Sequence, residues 1–209
     1  MLMPSLLATK VYNILLKKIL DNTLPAGEFI NRREIAKQLN VSVAPVLEAM
    51  VLLENDGLLE SIPRKGTRVR VIRDSDIMGN LFIREALECT AARIICGKLI
   101  SEQFDNLLPL AQEADKASLS SLEYFRADIN FHRALINLCG SDVINEEYAR
   151  VTNLGLFYSI NKFVSLGDAM VRLSHESLLK QLVAAEPDEA QHIMRQHIIS
   201  GKGHLVITR

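Results

Sequence analysis

Asp128 and His132 stand four residues apart in "LEYFRADINFHRALINLCG". A helix places such a pair on one face, one turn apart. Two further imidazoles follow, His175 and His197, in "LSHESLLKQLVAAEPDEAQHIMRQHIISGKGHL". Pro187 marks a helix start between them, so they belong to successive helices. If one carboxylate and three imidazoles converge inside a helical bundle, they suit a borderline divalent cation. Zn²⁺ and Ni²⁺ fit best, Mn²⁺, Fe²⁺ and Co²⁺ are compatible, and coordination positions remain open for water or a ligand. The D-x-x-x-H spacing alone is weak evidence, because such a pair is usually a surface pair or a hydrogen-bond donor. His192 and His204 have no distinguishing spacing and read as ordinary surface or terminal histidines.

The elements that would hold these side chains are helical. Over 209 residues, 48% of them hydrophobic, the chain can bury a proper core, and apolar residues recur three and four apart through most of its length. "LFIREALECTAARIICGKL" is expected to bury a face through Phe82, Ala86, Leu87 and Ile94, and "SEQFDNLLPLAQEADKA" follows as a second helix. The three cysteines, Cys89, Cys96 and Cys139, are odd in number, show no CxxC spacing and lie in apolar surroundings, which fits buried thiols in a reducing compartment. The N-terminus lacks a basic n-region and a small-residue cleavage site, and no run of about 18 apolar residues occurs. A cytoplasmic protein with no membrane span is expected.

The net charge of −1 hides an asymmetry. Residues 1–73 carry eleven Lys and Arg against seven acids, net +4; the remainder carries thirteen against eighteen, net −5. A modestly basic N-terminal module on an acidic C-terminal one follows. "LLATKVYNILLKKILDN" reads as a first helix, ended at "LPAGEFI" by Pro25 and Gly27. Asn31 three residues before Glu34 forms a capping-box arrangement that starts a short second helix. A third starts at Ser42, tolerates Pro45 in its first turn and ends near Gly57. "LLESI" and "TRVRVI" then flank a basic turn, "PRKG". Three helices and a hairpin are the order of a winged helix-turn-helix, in which a helix N-terminus fits the major groove and a cationic hairpin tip lies against phosphates or in the minor groove.

"LPAGEFINRREIAKQLNVSVAPVLEAMVLLENDGLLESIPRKGTRVRVI" resembles the N-terminal domain of the GntR family of bacterial transcription regulators. Pro25, Gly27, Ala36, Val41, Ser42, Pro45, Val46, Glu48, Ala49, Leu53, Gly57 and Gly66 carry the match. The resemblance implies double-stranded operator DNA as a partner, with Arg33 of the second helix and Arg64, Lys65 and Gly66 of the wing as contacts. Ser42, Val43 and Leu47 occupy contact positions at the start of the recognition helix. The two arginines usual there are absent, replaced by Val43 and Leu47. With Val51 these fall at i, i+4 and i+8, an exposed stripe separate from the packing face of Val46, Ala49, Met50 and Leu53. Three readings stand: the stripe meets thymine methyls while amides and wing bind phosphate, another surface covers it, or DNA affinity is weak or lost.

The second half resembles the FCD ligand-binding domain of the FadR-like branch of the same family, an all-helical bundle. Asp128, Phe131, His132 and Leu135 match D-x-x-FH-x-x-L, and His175 is followed 22 residues later by the last residue of "MRQH" at 194–197. All four family metal positions, Asp128, His132, His175 and His197, are therefore filled. Arg84, Leu87 and Glu88 match the R-x-x-LE of the first FCD helix, with Phe82 where an acid often stands. Arg84 is a candidate for binding a carboxylate effector, against the alternative of an ion pair with Glu88. The expected fold is mostly α, a winged helix-turn-helix at 1–73, a linker at 74–80, and an FCD-like bundle for effector, metal and dimerisation at 81–209. The implied function is a non-enzymatic, homodimeric transcription regulator whose operator affinity responds to a small organic acid bound at a divalent metal. A metal sensor is one alternative; a metalloenzyme is another, disfavoured because no additional acid or base has a recognisable placement.

Overall fold

The computed structural model describes residues 5–116, 121–161 and 173–206. Two units form: Met1–Arg73 with Leu156–Phe163, and Asp74–Gly155 with Val164–Arg209.

In the first unit, α1 (Leu6–Leu20) begins where the Ser5 hydroxyl accepts from the Ala8 amide, and buries Ala8, Val11, Leu15 and Ile19. That spacing of three, four and four is one helical stripe, and it packs on α3 (Val43–Asn55). Asn31 caps α2 (Arg32–Leu39) by accepting from the amides of Arg33 and Glu34. The helix stops because Asn40 turns into the left-handed conformation, φ 53°, which asparagine tolerates. The Val41 amide then returns to the Ala36 carbonyl, and α2 and α3 meet at 118°, the angle of a helix-turn-helix. Strands β1 (Leu59–Ile62) and β2 (Gly66–Val69) pair antiparallel, with Leu59 opposite Val69 and Ile62 opposite Gly66. Phe29 adds an isolated bridge to Arg68, and Ile30 donates to Thr67, so the turn after α1 edges the wing.

The second unit holds α4 (Asp74–Ile95), α5 (Lys98–Ala114), α6 (Ser121–Asn137), α7 (Asp142–Asn161) as far as Gly155, α8 (His175–Ala184) and α9 (Pro187–Val206). α4 packs on α9 and α6, α5 on α6 and α8, and α8 on α9. Ile95, Ile100, Phe131, Leu135, Leu179 and Met194, from five of these helices, lie in one apolar core. Two expectations change here. Residues 74–80 are the opening turns of α4, not a linker; Asp76 in the first turn suits a helix N-terminus, where the dipole favours negative charge. The buried face of α4 also lies elsewhere than expected: Phe82 and Ile94 are more than half exposed, while Arg84 and Glu88 are buried.

Candidate metal centre and nucleic-acid interface

The four expected metal positions converge. Asp128 and His132 come from α6, His175 is the first residue of α8, and His197 lies in α9. All four are buried, and each offers a ligand atom such that the four atoms lie within 4.8 Å of one another. The rings of His175 and His197 are 4.7 Å apart between centroids, those of His132 and His197 5.2 Å.

Carboxylates behind the imidazoles fix the rings. Asp115, at the C-cap of α5, accepts from the backbone amides of His175 and Glu176 and from the Ser174 hydroxyl, thereby capping α8. The same carboxylate lies 2.8 Å from His175 Nδ1. Burial alone would raise the Asp115 pKa, but these four donors hold it below the usual carboxylate range. His132 Nδ1 lies 2.9 Å from Glu88 Oε2. Glu88 in turn accepts from the Tyr148 hydroxyl at 2.7 Å and from Arg84 Nε. With Nδ1 of His132 and of His175 each facing a carboxylate, both Nε2 atoms turn toward Asp128, at 3.8 and 3.3 Å from its Oδ1. A carboxylate behind a ligating imidazole sets its tautomer and raises its basicity.

The electrostatics match a cation. Burial lowers the His175 pKa, but Asp115 and Asp128 outweigh it and raise it to about 9. Burial pushes His132 down despite Glu88, and takes His197 to about 2, helped by its two imidazole neighbours. At neutral pH Asp115 therefore keeps its charge and His175 its proton, with the side chains of Glu88 and Asp128 beside the rings. His132 Nε2 and His197 Nδ1 are buried and make no hydrogen bond among the described residues, which costs free energy unless something is bound. On these grounds the donor set fits a divalent cation of the Zn²⁺ or Ni²⁺ type.

Arg84 is 6% exposed and is engaged inside the protein, by Glu88 and by Asp128 at 2.9 Å. Burial opposes its charge, but the two carboxylates keep its pKa well above the ordinary value. A cavity of about 150 Å³ lies against His197, lined also by Ser174, Leu178, Gln181 and His192. His192 is exposed, and the side chain of His204 lies outside the described residues. Asp115 and Tyr148 went unnoticed in the sequence: neither has a motif, and each reaches the site from another helix.

In the first unit, Arg33, Lys65 and Gly66 line one open groove of about 520 Å³, together with Phe29, Arg32 and Met50. Arg33, Arg64 and Lys65 are exposed and form no ion pair among the described residues. Arg64 adopts φ 64° and Gly66 φ 109°, turning the chain tightly at the wing tip. Arg68, by contrast, is paired with Glu60 across the strands. Ser42 precedes α3 without a side-chain cap bond, and Val43, Leu47 and Val51 are 38%, 45% and 48% exposed, the open stripe that their spacing predicts.

A winged helix and an all-helical bundle in one chain define a two-module transcription regulator. Residues 7–69 match the bacterial regulatory proteins of the gntR family, residues 81–200 match the FCD domain, and the chain belongs to the GntR family. It is 26% identical over 193 residues to the HTH-type transcriptional repressor RspR of Escherichia coli K12, covering 90% of this chain and 84% of that one. It is 28% identical over 196 residues to the HTH-type transcriptional regulator YdhC of Bacillus subtilis, covering 92% and 86%. A GntR regulator from Rhodococcus sp. RHA1 shares the fold with TM-score 0.74 at 24% identity, covering 97% and 98% of the two chains. These are families of regulators rather than enzymes, and no single helix among the described residues is long and apolar enough to cross a membrane.

Proposed function

We propose that this transcription regulator binds operator DNA as a homodimer, and that a small organic acid, bound at a divalent cation held by Asp128, His132, His175 and His197, sets its DNA affinity. The observation that carries the reading is the buried convergence of those four ligand atoms within 4.8 Å. The cation would supply a Lewis-acidic anchor for a carboxylate. The chain's own residues do the rest. Asp115 fixes the start of α8 together with the His175 ring, and Glu88 orients His132. An effector carboxylate reaching Arg84 would exchange with Asp128 rather than meet an unpaired guanidinium. Control follows only if the effector binds one conformation of the regulator better than another.

Homodimerisation would let two winged helices address half-sites of a pseudo-palindrome. Ile83, Ala86, Thr90 and Ile94 recur at helical spacing on the exposed face of α4 and offer an apolar surface to a second copy.

The test measures metal content of the purified full-length chain, then duplex binding by mobility shift with and without chelator across a panel of small hydroxy and dicarboxylic acids. Stoichiometric metal, with a carboxylate response that chelation removes, supports the reading. A response to the cation alone would make the chain a metal sensor. Steady turnover of the acids, lost in His132→Ala, would favour an enzyme.

A further inference from the structure

The recognition helix presents an unusual face to its partner. α3 carries no Lys or Arg, and its exposed stripe is Val43, Leu47 and Val51. Both acids of α3 are engaged by neighbouring side chains or amides: Glu48 accepts from the Ser5 hydroxyl at 3.1 Å, and Glu54 accepts from the Ser61 amide at 2.8 Å and from its hydroxyl. The three side chains of the stripe themselves offer a duplex only methyl groups. Cations border it. Met50, three residues after Leu47 and seven after Val43, lines the groove that also holds Arg32, Arg33 and Lys65. An apolar face beside a groove whose cations form no ion pair among the described residues complements an apolar base edge beside phosphates. In the major groove that edge is the thymine C5-methyl, which distinguishes T·A from the other pairs without any hydrogen bond.

We infer that Val43 and Leu47 read thymine methyls in each operator half-site, with Arg33 and Lys65 holding the flanking phosphates. The inference rests on the DNA-binding function of the family and names what this chain's helix recognises. Val43 and Leu47 are one turn apart, about 6 Å along α3 at a rise of about 1.5 Å per residue. Stacked base pairs repeat every ~3.4 Å, so the two thymines lie about two base pairs apart. Val51, another turn along, lies farther from the helix N-terminus that enters the groove.

The experiment selects full-length protein against duplexes with a randomised centre. Thymine is then replaced by deoxyuridine at each enriched position, which removes only the methyl group. Expected are two thymines per half-site about two base pairs apart, with each replacement weakening binding about fourfold, the value of one buried methyl. In Leu47→Ala one of the two deoxyuridine effects vanishes and the other persists; in Val43→Ala the pattern is reversed. Both substitutions are at exposed positions, and circular dichroism checks that each variant folds. Salt-dependent duplex binding with guanine enriched at these positions, or with deoxyuridine and thymine bound alike, overturns this inference and leaves DNA binding standing. Failure to retain any duplex overturns both.

Discussion

The two candidate functional surfaces of this chain distribute polarity in opposite ways. The bundle buries Arg84, Glu88, Asp128, His132, His175 and His197, groups that ordinarily face water, whereas α3 exposes Val43, Leu47 and Val51, groups that ordinarily face a core. Each inversion points to something outside the chain. A buried cluster of charges and unpaired nitrogens is costly unless each group is compensated. An exposed apolar stripe gains free energy when a partner removes it from water.

The contrast can be broken most forcefully at Glu88. Replacing it by Ala leaves Arg84 beside Asp128 alone and removes the acceptor of Tyr148, so urea denaturation should show a loss of about 3–5 kcal/mol, the usual cost of stripping one partner from a buried charged group. Stability equal to wild type would mean that the cluster is not tightly coupled.

Next in size is the ligand set. Calorimetric titration with Zn²⁺ should show His132→Ala losing measurable binding, while Asp115→Asn, which keeps the ligands but weakens the group behind His175, should lose about 10–100-fold. Equal effects from the two variants would show that Asp115 ligates rather than orients.

The pH dependence of the metal-free chain sharpens the picture in two windows. His132 and His197 have folded pKa values below the unfolded value of about 6.5, so they cost stability as pH falls below that point. His175 has the opposite sign: its folded value of about 9 adds stability that is fully present below pH ~6.5 and lost as pH rises through 9. Chelated protein should therefore be most stable near pH 6.5 in thermal melts. Zn²⁺ should raise stability progressively more as pH increases from 6.5 to 9, because binding displaces the His175 proton. A flat profile in chelated protein would remove the assigned couplings.

The smallest effect belongs to the surface. Arg33→Ala should lower duplex affinity several-fold and reduce the slope of log affinity against log salt by about one, uniformly across sequences. A sequence-dependent loss would instead place Arg33 on a base edge.

How far the sequence foretold these surfaces follows from where the signals lie. Asp128 and His132 were legible because they sit one turn apart on a single helix, and His175 and His197 because they keep a family spacing. Asp115 was hidden because its role is set by the amides of a helix that starts 60 residues later. The inner face of α4 was misjudged for a related reason. Hydrophobic periodicity locates a buried face only when that face is apolar, and here it carries Asn80, Arg84 and Glu88, so the pattern through Phe82 and Ile94 pointed to solvent. In the first unit the capping residues and the stripe at 43, 47 and 51 obeyed local rules and were readable. The edge contact of Phe29 with β2 depends on tertiary pairing and was not.

The spread of the ligands along the chain has a mechanical consequence. His132 precedes His175 by 43 residues, and His197 follows 22 later. A cation held by these groups would close two consecutive loops and act as a cross-link tying α9 back to α6. Loop-closure entropy grows only slowly with length, so each tie removes a similar share of the unfolded chain's freedom. Such a staple would make the C-terminal helix among the last elements to fray, and cation occupancy would set how readily a protease digests the bundle from its C-terminal end.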